Sequence, residues 1–222
     1  MCKKQEMYLF DLDGTLIDSS DAIIKSVNRA REVCDYKSCD DESIRNRIGQ
    51  PVETLFTDLK LTLDKEETLI KQFRKLLEEE ILRGVKLFDG VIDLFDLLSA
   101  GPYELGIATS KSQELSNFTV KHSRLADYKI TVSGTSPARP KPYPDVILNC
   151  MPDYENTLAL MIGDRTEDML AATASGIPAV GIAQSSHNKS ELLASGAKKV
   201  FDRFDELIFN IGELESIRLK GL

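Results

Sequence analysis

The chain has 222 residues, 42% of them hydrophobic and 29% charged, which is enough to bury a core without disulfides or a structural metal. Its formal net charge of −8 argues against a broad nucleic-acid or anionic-membrane surface, which needs clustered Lys and Arg. The apolar run after Lys3 and Lys4 is too short for a signal peptide or a membrane span, and Cys2, Cys34, Cys39 and Cys150 make no CxxC pair, so free thiols in a cytoplasmic protein are expected.

In chain order, MYLF (7–10) predicts a first strand that runs into DLDGT at 11–15. No strand pattern follows between residues 19 and 88, where apolar residues recur at helical spacing, as at Ile23, Val27, Ala30 and Cys34. The longest predicted helix there, 65–83, carries Leu69, Phe73, Leu76, Leu77 and Ile81 on one face, the core stripe of a small bundle. Asp64 and Glu67 are spaced as its capping box. Gly49 and Pro51 break the pattern in NRIGQPVETLF (46–56), which predicts a loop between helices, preceded by Arg45 and with Arg47 inside it.

Beyond residue 88 helices alternate with strands: helix 90–100, strand 104–109, helix 112–121, strands 129–132 and 158–163, helix 165–175, strand 178–183, helix 188–195, strand 197–201 and helix 203–214. Most strand runs are apolar on both faces, as a parallel sheet covered by helices on each side requires. The expected architecture is an α/β doubly wound parallel-sheet domain from residues 1–17 and 86–222, with a helical insert over 18–85.

In such a sheet ligands bind beyond the carboxyl ends of the strands. Asp11 and Asp13 follow the first strand, Thr109 and Ser110 end the second, and Asp164 ends LALMIGD. If a helix begins near Arg165, Asp164 and Asp168 both point to its start. Carboxylates gathered at one crevice repel one another unless a cation lies among them, and an oxygen donor set favours Mg²⁺ over zinc or copper. Pro140 and Pro142 stiffen the loop carrying Lys141, so its ammonium can be aimed at the crevice at low entropic cost. Carboxylates, a hydroxyl, an ammonium and Mg²⁺ together suit phosphoryl transfer. The sequence has no GxxxxGK, GxGxxG or GxSxG motif, and His122 and His187 fall in no metal-ligand pattern.

DLDGT at 11–15, Thr109 after GIA, Lys141 in RPKP and GDRTED at 163–168 resemble, in order and spacing, the four motifs of the haloacid dehalogenase-like (HAD) hydrolase superfamily. The insert resembles the helical cap of its phosphoglycolate phosphatase and β-phosphoglucomutase branch. The resemblance implies a Rossmann-like core, with Asp11 as nucleophile forming an aspartyl-phosphate and Asp13 as general acid, then base. It implies that Thr109 and Lys141 hold the phosphoryl group, with Gly14 and Ser110 beside them. Mg²⁺ would lie on Asp11, Asp164 and the Asp13 backbone carbonyl, with Asp168 completing or orienting that shell. The family's dehalogenases carry Tyr where this chain has Asp13, which points to phosphate rather than halide chemistry. No cap lysine aligns with the Schiff-base lysine of the phosphonate-cleaving branch.

The expected function is a Mg²⁺-dependent phosphatase acting on a small phosphorylated metabolite of phosphoglycolate, sugar phosphate or nucleotide type. A phosphomutase would use the same four motifs. A phospho-accepting signalling domain also gathers acidic residues, a Thr and a Lys, but is much shorter and lacks an insert. Arg45 or Arg47 is expected to bind a polar group of the substrate from the cap, and a monomer is the default.

Overall fold

The computed structural model describes residues 4–184 and 189–219; Cys2, His187 and the first residue of the expected helix 188–195 lie outside the described residues. Six strands form one sheet: β1 (Gln5–Phe10), β2 (Tyr103–Ser112), β3 (Ile130–Thr135), β4 (Thr157–Gly163), β5 (Ala179–Ile182) and β6 (Val200–Phe201), in the order β3-β2-β1-β4-β5-β6 with every pairing parallel. Because side chains alternate across a strand, β1 splits between two cores: Tyr8 and Phe10 enter one, Met7 and Leu9 the other. That division explains the lack of polar alternation in the strand runs.

The chain leaves β1 through a turn and enters the insert, α1 (Ser20–Val33), α2 (Asp41–Arg45), a 3₁₀ segment Val52–Leu59 and α3 (Leu63–Arg83). It returns beside its point of exit: Asp18 N donates to Lys86 O at 2.9 Å and Phe88 N to Leu16 O at 3.1 Å, while Lys86 Nζ pairs with Asp18 at 2.7 Å. The insert packs its own apolar cluster, with Val27, Ala30, Ile44 and Leu69 fully buried. The stripe on α3 is buried as its spacing predicts. Arg31 is buried too; its guanidinium meets both Asp58 oxygens, at 3.0 and 2.6 Å, and donates to Lys37 O at 2.7 Å. One side chain thereby ties α1 to the 3₁₀ segment and to the loop before α2.

The sheet is completed by α4 (Val91–Ser99), α5 (Gln113–Lys121), α6 (Asp145–Leu148), α7 (Thr166–Ala174), α8 (Lys189–Ala194), α9 (Phe204–Phe209) and α10 (Ile211–Leu219). Residues of α4, α9 and α10 fill one face, and those of α6, α7 and α8 the other. Among the described residues no helix is long and apolar enough to cross a membrane.

Several local expectations are corrected. The helix starts at Leu63 with Thr62 as N-cap, so Asp64 lies in its first turn, favourable to the helix dipole but not capping. The expected loop over 46–56 is a turn that passes into 3₁₀ structure at Val52. Strand 197–201 shrinks to Val200–Phe201. The expected helix 203–214 divides at Asn210, whose side chain bonds back to Glu206 O at 2.7 Å in competition with helical continuation. Strand β2 extends past Ser110 to Ser112, carrying Lys111 into the site. Finally, α6 follows Pro144 where only loop is expected.

Replacing Arg31 by Met keeps most of the volume but removes the three hydrogen bonds. The expected loss of unfolding free energy in urea is about 1–3 kcal/mol, and a loss near zero would show that the bridge does not hold the insert together.

Candidate active site

The sheet order reverses beside β1: the chain moves outward to β2 and β3, then crosses back to β4 on the other side. Asp11 and Asp164 lie at the carboxyl ends of these neighbours, β1 and β4, where a crevice opens. Asp11 N donates to Ile162 O at 2.9 Å, carrying the ladder one residue past the strand. The following turn needs Gly14, at φ +94°; a Cβ there would lie 2.6 Å from Asp164 Oδ2. Thr15 Oγ1 donates to Asp164 Oδ1 at 2.7 Å, so the turn itself orients that carboxylate.

Across the crevice, Asp168 sits in the first turn of α7, where its Oδ2 accepts Arg165 N at 2.9 Å. Gly163 makes room for it, since a Cβ there would stand 2.3 Å from Asp168 Oδ2. Lys141 comes from the Pro-rich loop and is buried. Its Nζ reaches Asp11 Oδ1 and Asp168 Oδ1, each at 2.5 Å, and Ala108 O at 2.9 Å, using all three ammonium protons. Burial opposes charge on Lys141, yet Asp11 and Asp168 hold its pKa above the ordinary lysine value. Burial pushes the Asp11 carboxyl up to about 8; Lys141 pulls it down, while Asp168 and Asp164 push it further up.

Asp13 stands apart from that cluster. Its Oδ2 pairs with Lys111 Nζ at 2.9 Å, both side chains being buried, and its buried Oδ1 has no hydrogen-bond partner. Lys111 is absent from the sequence-based candidates. A Lys just after Thr109 and Ser110 is the available signal, but its pairing depends on the extra residues of β2. Thr109 is buried, with its hydroxyl accepting Lys111 N at 3.2 Å, and the buried Ser110 hydroxyl has no hydrogen-bond partner.

A cavity of about 400 Å³ extends from this crevice to the insert and is lined by Asp11, Asp13, Thr109, Ser110 and Lys111 on the sheet side. From the insert Arg47 and Arg74 line it, whereas Arg45 faces Asp21 at 3.6 Å. The structure thus brings together Asp11, Asp13, Gly14, Thr109, Ser110, Lys141, Asp164 and Asp168, with Arg47 at the cavity's far wall and Arg45 outside it. His122 lies on α5's end, stacked on Phe118 with 4.2 Å between ring centroids. Cys34, Cys39 and Cys150 are free thiols.

One carboxylate oxygen from each of Asp11, Asp164 and Asp168 lies within 4.8 Å of the other two. Buried, all-oxygen and close-set, this donor group fits a hard divalent cation. The Asp11–Lys141–Asp168 bridge also predicts a stability effect. Lys141→Met leaves two buried carboxylates without their ammonium, and in chelator the unfolding free energy is expected to fall by about 3–5 kcal/mol. A wild-type urea midpoint for the variant would refute the bridge.

The family model for haloacid dehalogenase-like hydrolases matches residues 8–182. The chain is 30% identical over 210 residues to the "Probable phosphatase IndB" of Dickeya dadantii, covering 91% of each chain. It is 28% identical to the phosphoglycolate phosphatase of Colwellia psychrerythraea, over 94% of this chain and 98% of that one. A solved "predicted phosphatase" from Clostridium acetobutylicum superposes with a TM-score of 0.82 at 29% identity, covering 95% of this chain and 99% of the other. With its parallel sheet, its inserted helices and these phosphatase relatives, the chain belongs to the haloacid dehalogenase-like hydrolases and is an enzyme of their phosphatase branch.

Proposed function

We propose that the protein is a Mg²⁺-dependent phosphatase that hydrolyses a small phosphorylated metabolite through an aspartyl-phosphate on Asp11. The observation that carries this reading is the buried Asp11 carboxylate, bridged through Lys141 to Asp168 and facing Asp164. In the first step an Asp11 oxygen attacks phosphorus, the bond to the leaving oxygen breaks, and Asp13 gives that oxygen its proton. In the second, water attacks the acyl phosphate, Asp13 takes its proton, and phosphate leaves with Asp11 restored. Thr109 and Ser110 donate hydrogen bonds to the phosphoryl oxygens, the Gly14 turn keeps the crevice open to them, and Lys141 neutralises their charge. Lys111 orients Asp13 so that its Oδ1 is left for the proton transfers.

Asp11, Asp164 and the Asp13 backbone carbonyl would hold Mg²⁺, with Asp168 orienting the set. When bound, the ion screens the nucleophile from the phosphoryl charge it approaches. We take residues 1–17 and 86–222 as the catalytic core and 18–85 as the cap, on the strength of the adjacent exit and return of the chain. Arg47, facing the cavity, is the cap residue that meets a polar part of the substrate, while Arg45 lies outside the cavity and pairs with Asp21. The free thiols of Cys34, Cys39 and Cys150 fit a cytoplasmic protein, and a monomer is the default reading.

Asp11→Asn keeps the shape of the side chain and removes the nucleophile, so phosphate release is expected to fall to background with the fold retained by circular dichroism. Mass spectrometry of the trapped wild-type phosphoenzyme is expected to find the label on Asp11; label on any other side chain would overturn the assignment. Activity is expected to vanish in EDTA and return with Mg²⁺ but not with Ca²⁺, whose larger and looser shell misplaces the carboxylates. Full turnover in chelator would end the metal reading.

A further inference from the structure

The cavity is larger than handling a phosphoryl group demands, and part of its wall is apolar. Its volume of about 400 Å³ falls within the range of sites that enclose organic ligands. Asp11, Asp13, Thr109, Ser110 and Lys111 form its sheet end, and Arg47, Gln50, Glu53 and Arg74 add polar groups from the insert. Beside these the wall has an apolar part: Ile23 from α1, Ile48 and Leu55 from the loop and 3₁₀ segment, Phe73 and Leu77 from α3, and Leu115 from α5. Phe73 and Leu77 are four residues apart and so stack on one face of α3, and Leu115 closes the wall from the core side.

These side chains pack in the insert's apolar cluster and also line the cavity. Water enclosed by such a wall makes few hydrogen bonds, and an apolar group that replaces it gains transfer free energy. A two-carbon acid phosphate or a pyrophosphate would leave this wall uncovered, because every atom it carries is polar or next to a polar one.

We infer that the substrate is a phosphomonoester whose carried group has an apolar body, a ring or branched chain, seated between Phe73, Leu77 and Leu115. This rests on the phosphatase reading and selects among its substrate classes. The phosphate end is fixed at the strand ends, and selectivity is set by apolar contact beyond it.

The test is a series of ethyl, butyl and hexyl phosphate with phenethyl phosphate, compared with phosphoglycolate and pyrophosphate. The alkyl leaving groups are chemically alike, so chain length is read apart from leaving-group quality. Wild-type kcat/KM with Mg²⁺ is expected to rise about two- to fourfold per methylene until the wall is covered, with phenethyl phosphate above phosphoglycolate and pyrophosphate. Calorimetry on Asp11→Asn reads binding without turnover, and its Kd is expected to fall by the same factor per methylene. A flat or falling series in both measurements overturns the apolar-body inference while leaving a phosphatase. Graded binding with no phosphate released from any compound sustains the inference and sinks the phosphatase reading instead.

Discussion

Lys141 brings a positive charge into a region where its own side chain is 2% exposed and those of Asp11 and Asp168 are 5% and 1% exposed. An ammonium there is tolerable only because all three of its protons are taken up, by two carboxylates and the Ala108 carbonyl. The arrangement demands coincidence from four elements: the end of β1, strand β2 at Ala108, the Pro-rich loop that carries Lys141 and the first turn of α7. A displacement of any one would leave a buried charge unpaired, so the Asp11–Lys141–Asp168 bridge constrains how these elements meet as strongly as the apolar packing beneath them. It also fixes the rotamers of the groups that face the crevice, which is the preorganisation that phosphoryl transfer needs.

The insert depends on the same end of the sheet. It departs immediately after the Gly14 turn and returns before α4, with the two passing segments hydrogen-bonded to each other. Its helices therefore stand over the carboxyl ends of β1 and β2 instead of extending the sheet. Arg31 consolidates the insert from within, binding Asp58 on the segment that precedes α3. Asp58 in turn lies 3.8 Å from Arg47, so the internal bridge of the insert reaches the wall of the cavity.

Much of this is legible in residues alone. The parallel core follows from strands such as LALMIG, apolar on both faces, and the crevice follows from polar residues stopping those runs. Asp11, Asp164 and Asp168 stand out because like charges at three strand or helix ends are costly without a common purpose. Lys111 does not stand out, because its role requires β2 to run two residues past Ser110, and strand ends depend on pairing with β3. Neighbouring Arg45 and Arg47 differ because Arg45 is the last residue of α2 and Arg47 lies in the turn that follows it, a distinction that helical spacing alone does not carry. The break at Asn210 is a local competition between side-chain and backbone hydrogen bonds, too close in energy for sequence pattern to decide.

The two ends of the cavity answer different physical demands. At the sheet end, burial raises the pKa of Asp11 to about 8, with Lys141 opposing that rise and Asp168 and Asp164 adding to it. Asp11, Asp13, Asp164 and Asp168 leave a surplus of carboxylates over the ammonium groups of Lys141 and Lys111. A divalent cation would offset it, after which Lys141 and the hydroxyls of Thr109 and Ser110 can receive a phosphate without a net penalty. These charges act over a few ångströms and recognise the phosphoryl group whatever it is attached to. Discrimination between attachments must come from the other end, where the insert offers Phe73, Leu77 and their apolar neighbours beside Arg47 and Arg74. Because apolar contact is proportional to area and indifferent to orientation, such a wall selects by size and shape. Substitutions along α3 can therefore retune which phosphomonoester is accepted while the charged bridge below, held by the sheet and α7, remains in place.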